Sequence, residues 1–273
     1  MKVTTLLPWF GSNRTLAHTV GEALAGCRWV GVPFAGGMSE LAHITAPTIV
    51  VNDLHRDVIN VASCLAHPQI GPAMYRRLKR TPFHPDVLLE AQRFASEWIT
   101  DEVHPHNIEA AMVYFVSQWM NRSAKSGTDG EFTGNLPVRW NANGGDSNTR
   151  YRSAVHSLVE WRRILQRCNF TVMDCFGFLE RCDDSEGHGI YCDPPFYGPG
   201  ERYKHTFTED QHRKLAGVLA TFQHARVVCR FYDVPLVREI YPEALWTWKE
   251  QTGRKQSNEQ AEEVLLTLTR SKT

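Results

Sequence analysis

Short apolar runs that halt at glycine, proline or an acid alternate along this chain with longer stretches of helical periodicity. Arg28-Trp29-Val30-Gly31-Val32 reads as a strand, stopped by Pro33-Phe34-Ala35-Gly36-Gly37 and followed by a helix from about Ser39. Thr48 to Val51 is a second strand ending at Asn52-Asp53, with a helix beginning near Arg56. From Cys64 to Arg167 helical spacing dominates, most clearly over Val87 to Trp98 and Ile108 to Trp119, with a last helix at Arg152 to Arg167. Strands resume at Phe170 to Met173, ending in Asp174, and at Gly189 to Cys192. A helix from about Glu209 and strands at Arg226 to Cys229, Leu245 to Lys249 and Val264 to Thr269 complete the pattern. Strands alternating with helices predict an α/β fold.

One run stands out. Ile190-Tyr191-Cys192 is cut off by Asp193-Pro194-Pro195-Phe196. Neither proline can donate a ladder hydrogen bond, so the strand ends at Asp193. In open α/β sheets, ligands bind beyond the carboxyl ends of the strands, which places this turn where chemistry is done. The Asp193 carboxylate and the Pro194 carbonyl offer acceptors, and the Phe196 ring offers a flat apolar face. That set suits a flat base bearing an exocyclic amine. The competing reading is a turn that ends a strand and does nothing else.

Other segments supply candidate binding groups. At the amino end, Pro8-Trp9-Phe10-Gly11-Ser12-Asn13-Arg14 is a compact turn leading into a helix at Leu16 to Leu24, with Ser12 or Asn13 as its cap. Gly36 and Gly37 let backbone approach a ligand, without forming the dinucleotide fingerprint. Asp53, an acid closing the strand after a glycine turn, can accept both hydroxyls of a ribose, or can cap the next helix. Asn121 to Arg150 is polar, with Arg122, Lys125, Arg139 and Arg150 interleaved with Phe132 and Trp140 and followed by Tyr151. Basic and aromatic residues in alternation suit phosphates and base edges, although a solvated loop has the same composition. Arg76, Arg77, Lys79 and Arg80 form a second basic cluster, either a backbone contact or a solvated helix end. Tyr197 to Thr206, ending with Arg202 to His205, is a loop able to order over a substrate.

Composition adds limits. The 273 residues suffice for one large domain or two modest ones. Thirty basic side chains balance thirty acidic ones, so net charge favours no partner and nucleic-acid binding must be argued locally. Seven cysteines, an odd number without a CxxC pair, read as buried free thiols in a reduced cytoplasmic protein. Cys168, Cys175 and Cys182 are spaced by seven, but they fall on a helix end, a strand end and a loop, so no metal site is expected. No secretory signal and no apolar run long enough for a bilayer is visible.

Taken in order, these motifs resemble those of Dam-type DNA adenine-N6 methyltransferases. Trp9-Phe10-Gly11-Ser12-Asn13 is similar to the family's Trp-x-Gly-Gly-Lys turn, and Pro33-Phe34-Ala35-Gly36-Gly37 to its Pro-Phe-x-Gly-x-Gly turn. Asp53 matches the acid closing its second strand, and Asp193 to Phe196 match Asp-Pro-Pro-Tyr/Phe, with Tyr203, Phe207 and His212 in the segment that follows. Asn13 stands where the family has its motif lysine, with Arg14 beside it as a substitute charge if turned inward. Val32 stands where an acid often precedes Pro-Phe. The resemblance implies a Rossmann-like S-adenosylmethionine-dependent sheet in two parts, residues 1–63 and 168–273, around an inserted helical target-recognition region, 64–167. It implies Asp193, Pro194, Pro195 and Phe196 as the catalytic set, and Trp9, Asn13, Pro33, Phe34, Gly36, Asp53, Asp174 and Asp193 as the S-adenosylmethionine site. Arg122, Lys125, Arg139, Trp140, Arg150, Arg202 and Lys204 would meet double-stranded DNA. The implied reaction is methyl transfer to the amine of a flipped adenine without a covalent intermediate, in a chain that could be paired with a restriction endonuclease or act on phage or host DNA. Rival readings are a methyltransferase acting on an RNA base or a protein glutamine, and an inactive DNA-binding relative.

Overall fold

A computed structural model describes residues 3, 5–12, 14–97, 106–121, 126–141, 145–197, 204–251 and 263–269. In chain order the elements are α1 (Ala17–Ala23), β1 (Trp29–Val32), a 3-10 turn (Ser39–Ala42), β2 (Thr48–Asn52), α2 (Arg56–Ala66) and α3 (Ile70–Arg80). Then come α4 (Pro85–Glu97), α5 (Ile108–Met120), α6 (Ser147–Leu165), β3 (Cys168–Thr171), α7 (Cys175–Leu179) and β4 (His188–Cys192). α8 (Glu209–Ala220), β5 (Arg226–Tyr232), α9 (Pro235–Ile240), β6 (Trp246–Gln251) and β7 (Glu263–Leu268) complete the chain.

The seven strands form one mixed sheet in the order β3-β2-β1-β4-β5-β7-β6. β1 to β5 pair in parallel, and β7 runs antiparallel between β5 and β6. Alternate residues serve opposite faces, as the strand repeat requires. Tyr191 and Val228 join the core formed with α2 to α6, whereas Ile190, Cys192, Val227 and Cys229 join the core formed with α7 to α9. Burial on both faces explains why these strands read as continuous apolar runs. The chain moves outward from β1 through β2 to β3, then returns to place β4 on the other side of β1. A crevice therefore opens at the carboxyl ends of β1 and β4.

Several expectations need adjusting. The helix predicted from Ser39 is a single 3-10 turn, Ser39–Ala42. Ser12 does not cap α1, which begins at Ala17 without a side-chain cap; its hydroxyl meets that of Ser39 at 3.1 Å. The third strand ends two residues early, because the Asn52 side chain takes the Thr171 hydroxyl and the Met173 N–H. β5 runs three residues past Cys229, because β7 pairs along it to Tyr232. The junction drawn between residues 63 and 64 falls inside α2, whose buried face packs with α3, α5 and α6. Among the described residues, no helix is long and apolar enough to cross a membrane.

Candidate functional site

The crevice holds an open cleft of about 920 Å³, counting the solvent at its mouth. Its walls include Trp9, Pro33, Phe34, Gly36, Asp53, Asp174, Asp193 and Pro195. Motifs dispersed over almost two hundred residues thus meet in one space. Pro194 and Phe196 are buried beside it and are not part of its lining.

The glycine turn is shaped by Trp9. Gly36 has φ +45°, and a Cβ there would meet the indole Nε1 at 2.9 Å. From the other side comes Gly127, φ +79°, where a Cβ would lie 2.4 Å from the same ring. Trp9 also bridges to Ser126. Part of the polar segment expected to contact nucleic acid is therefore folded inward as cleft wall.

Asp53 gives one oxygen to the Gly36 N–H at 2.8 Å and the other to the His55 N–H at 2.9 Å. It does not cap α2, where His55 is the N-cap residue. An ionised carboxylate has about four acceptor positions, so two remain for a ligand. Asn52, buried, donates to the Pro33 and Met173 carbonyls at 3.0 and 2.9 Å. It ties the ends of the first three strands together. Asp174 lines the cleft while capping α7, accepting from the Phe176 N–H at 2.9 Å.

At the end of β4, the Asp193 side chain is 17% exposed and in contact with the cleft. Its Oδ2 accepts from Arg230 Nη1 at 3.1 Å and from the Tyr191 hydroxyl at 3.2 Å. Its Oδ1 has a longer contact, 3.4 Å, to the same Arg230 nitrogen. Burial pushes the Asp193 carboxyl above the usual range, opposed mainly by the Arg230 charge. Arg230 is 3% exposed, donates to the Gly11 carbonyl at 2.9 Å, and lies 5.0 Å from the Phe196 ring centroid. It places a cation beside the amino-terminal turn. Arg14, the expected substitute for the missing lysine charge, is exposed and lies near Arg150 instead.

Glu40, His55 and Glu131 escaped the sequence reading, which did include His212 in the segment after the Asp-Pro-Pro-Phe turn. Glu40, on the 3-10 turn, is 3% exposed in the cleft wall with Oε1 unpartnered among the described residues. Burial raises its carboxyl from the ordinary 4.5 to about 8, so it is largely protonated at neutral pH. His55 and Glu131, also buried, pair at 3.0 Å beside the cleft. Burial opposes charge on both; their mutual attraction outweighs it, raising the imidazole and lowering the carboxyl. Glu131 also accepts from the Tyr114 hydroxyl and the Gly127 N–H, both at 3.1 Å. His212, buried behind the turn, is lowered to about 4 by desolvation, the Pro195 carbonyl opposing in part, and is neutral. A histidine at a helix start and an acid in a polar loop carry no local mark of burial, so nothing in the sequence singles out Glu40, His55 or Glu131.

The residues expected to meet nucleic acid are scattered. Trp140 is 89% exposed, and Arg139 beside it is exposed, its Nε donating to the Asn141 carbonyl at 2.8 Å. Arg150 is exposed and donates to the Asn121 carbonyl at 2.6 Å. Lys204 turns toward buried Glu131, at 3.5 Å, and its N–H bonds the Gly127 carbonyl. Asn13, Arg122, Lys125 and Arg202 lie outside the described residues. In the other basic cluster, Arg77 is engaged by Glu109.

No protein-family model matches the chain. Among curated proteins it is similar to the retron Ec67 DNA adenine methylase of Escherichia coli, with 26% identity over 255 residues. That alignment spans 88% of this chain and 81% of the retron protein.

Proposed function

We propose that this protein is an S-adenosylmethionine-dependent methyltransferase acting on the N6 amine of adenine in double-stranded DNA. The observation that carries the reading is the entry of Asp193 and Asp53 into one cleft at the point where the strand order reverses. The retron relative, named as a DNA adenine methylase, supports the choice of base and polymer.

The donor set fits the cofactor. Asp53 has acceptor capacity left for ribose hydroxyls, Phe34 supplies an apolar surface, and the Gly36 turn keeps side-chain bulk out of the cleft. S-adenosylmethionine, when bound, supplies an electrophilic methyl group on a sulfonium. Asp193, and the Pro194 carbonyl once it is uncovered, would accept hydrogen bonds from the two amine N–H groups and draw the nitrogen toward tetrahedral geometry. This frees its lone pair to take the methyl as the carbon–sulfur bond breaks, with the thioether leaving and one amine proton passing to the Asp193 carboxylate. Alignment contributes most, up to ~7–11 kcal/mol in well-oriented reactions. The target base must leave the duplex, at a cost of a few kcal/mol, which stacking on Phe196 offsets once the ring is uncovered. Exposed Trp140 and Arg139 form the DNA-facing surface.

Labelled cofactor offered in parallel to duplex DNA, RNA and protein tests this reading. Label should enter DNA and be recovered as N6-methyladenine after digestion; label in RNA or protein alone would transfer the chemistry to another amine. Asp53→Ala should weaken cofactor binding by ~1.5–3 kcal/mol, the value of charge-assisted hydrogen bonds. Unchanged affinity by calorimetry would restrict Asp53 to holding the Gly36 and His55 N–H groups.

A further inference from the structure

We propose that Arg230 is the positioning residue of this site: it holds Asp193 by Oδ2 and leaves Oδ1 to accept the substrate amine. The inference rests on the assignment of Asp193 as the amine acceptor. The two oxygens differ in their surroundings. Oδ2 takes two donors, at 3.1 and 3.2 Å, whereas Oδ1 has the single 3.4 Å contact among the described residues. A carboxylate free to rotate about its bond to Cβ would present either oxygen; one held by two donors presents a defined one.

Arg230 is itself fixed. Its Nε and Nη2 donate to the two oxygens of Glu263 at 3.3 and 2.9 Å, and Nη1 reaches the Gly11 carbonyl. β5 therefore joins the antiparallel strand β7, the amino-terminal turn and the catalytic turn through one planar guanidinium. Such a fork suits bidentate geometry, which a lysine cannot reproduce. The cation does not act as a removable plug, because leaving would strand two carboxylates in a buried site.

The charged and titratable groups facing Asp193 are Tyr191 and Cys192 on β4, Arg230 and Tyr232 on β5, Glu263 on β7 and Glu40 on the 3-10 turn. Arg230 favours the ionised carboxylate and Glu263 disfavours it. This opposition gives a test with two signs. In Arg230→Met, methylation turnover should fall ~100-fold, as expected for a misplaced reacting group, with KM changed little. The acid limb of its pH profile should move to higher pH. Arg230→Lys should return the limb toward its original position and restore part of the turnover. Glu263→Gln should move the limb the opposite way, to lower pH, and this supplies the test if Arg230→Met does not fold. Carbon-13 NMR of the Asp193 carboxyl, assigned with Asp193→Asn, should follow the same shifts in protein alone. That readout separates the inference from the proposed reaction: absence of DNA methylation by the wild type would sink the reaction, not the Arg230 coupling. Unchanged turnover and an unmoved acid limb in Arg230→Met, or an unmoved Asp193 titration in both variants, would overturn the inference.

Discussion

Asp193→Ala is expected to reduce adenine methylation by about 10²–10⁴-fold, the range contributed by a positioned proton-accepting group. The change removes both the carboxylate charge and the acceptor that draws the amine out of conjugation. The fold should survive, because Arg230 keeps its two hydrogen bonds to Glu263 and a third to the Gly11 carbonyl. Circular dichroism and the thermal transition should therefore stay close to wild type while labelled-methyl transfer collapses. Asp193→Asn is the finer probe: it keeps one carbonyl acceptor but loses the charge that Arg230 stabilises. Its turnover should exceed that of Asp193→Ala and lose most of the acid limb assigned to Asp193. A wild-type rate in Asp193→Ala would place the chemistry on another residue.

Glu40→Gln should change stability in a strongly pH-dependent way. The folded protein raises this carboxyl from 4.5 to about 8, with burial the principal cause and the nearby Asp193 charge adding to it. A raised acid contributes its full share of stability below pH 4.5 and loses it as pH climbs through the window to about 8. Glutamine has the same shape and no charge to strand. The variant should match the wild type near pH 4 and exceed it by about 3–5 kcal/mol at pH 8 to 9, from 1.36 kcal/mol per unit. Denaturant unfolding across that range gives the comparison. Equal stability of the two proteins at pH 9 would mean that Glu40 ionises in contact with solvent or an unrecognised cation.

Much of the scaffold and several residues of the cleft were legible in the sequence because their causes are local. Proline after Asp193 ends a strand wherever it stands, and glycine at 36 announces a turn before any partner for it is known. Continuous apolar runs placed β1, β2 and β4 to within a residue or two, since burial on both sheet faces demands such runs. The motif order located Asp53 and Asp193, and strand order alone brings their strand ends to one crevice. What tertiary structure decided is the partnership of side chains far apart in the chain. Asn52 ties β2 to Met173, 121 residues away; His55 meets Glu131 across 76 residues, and Arg230 meets Asp193 across 37. An arginine within an apolar strand, or a glutamate within a polar loop, has the same local signature whether it faces water or a buried counter-charge. The difference arises when packing removes the water and leaves the opposite charge as the available partner. That is why the sequence offers Asp193 as a candidate acceptor, while the tertiary structure gives its Oδ2 two close donors and its Oδ1 a single longer contact among the described residues.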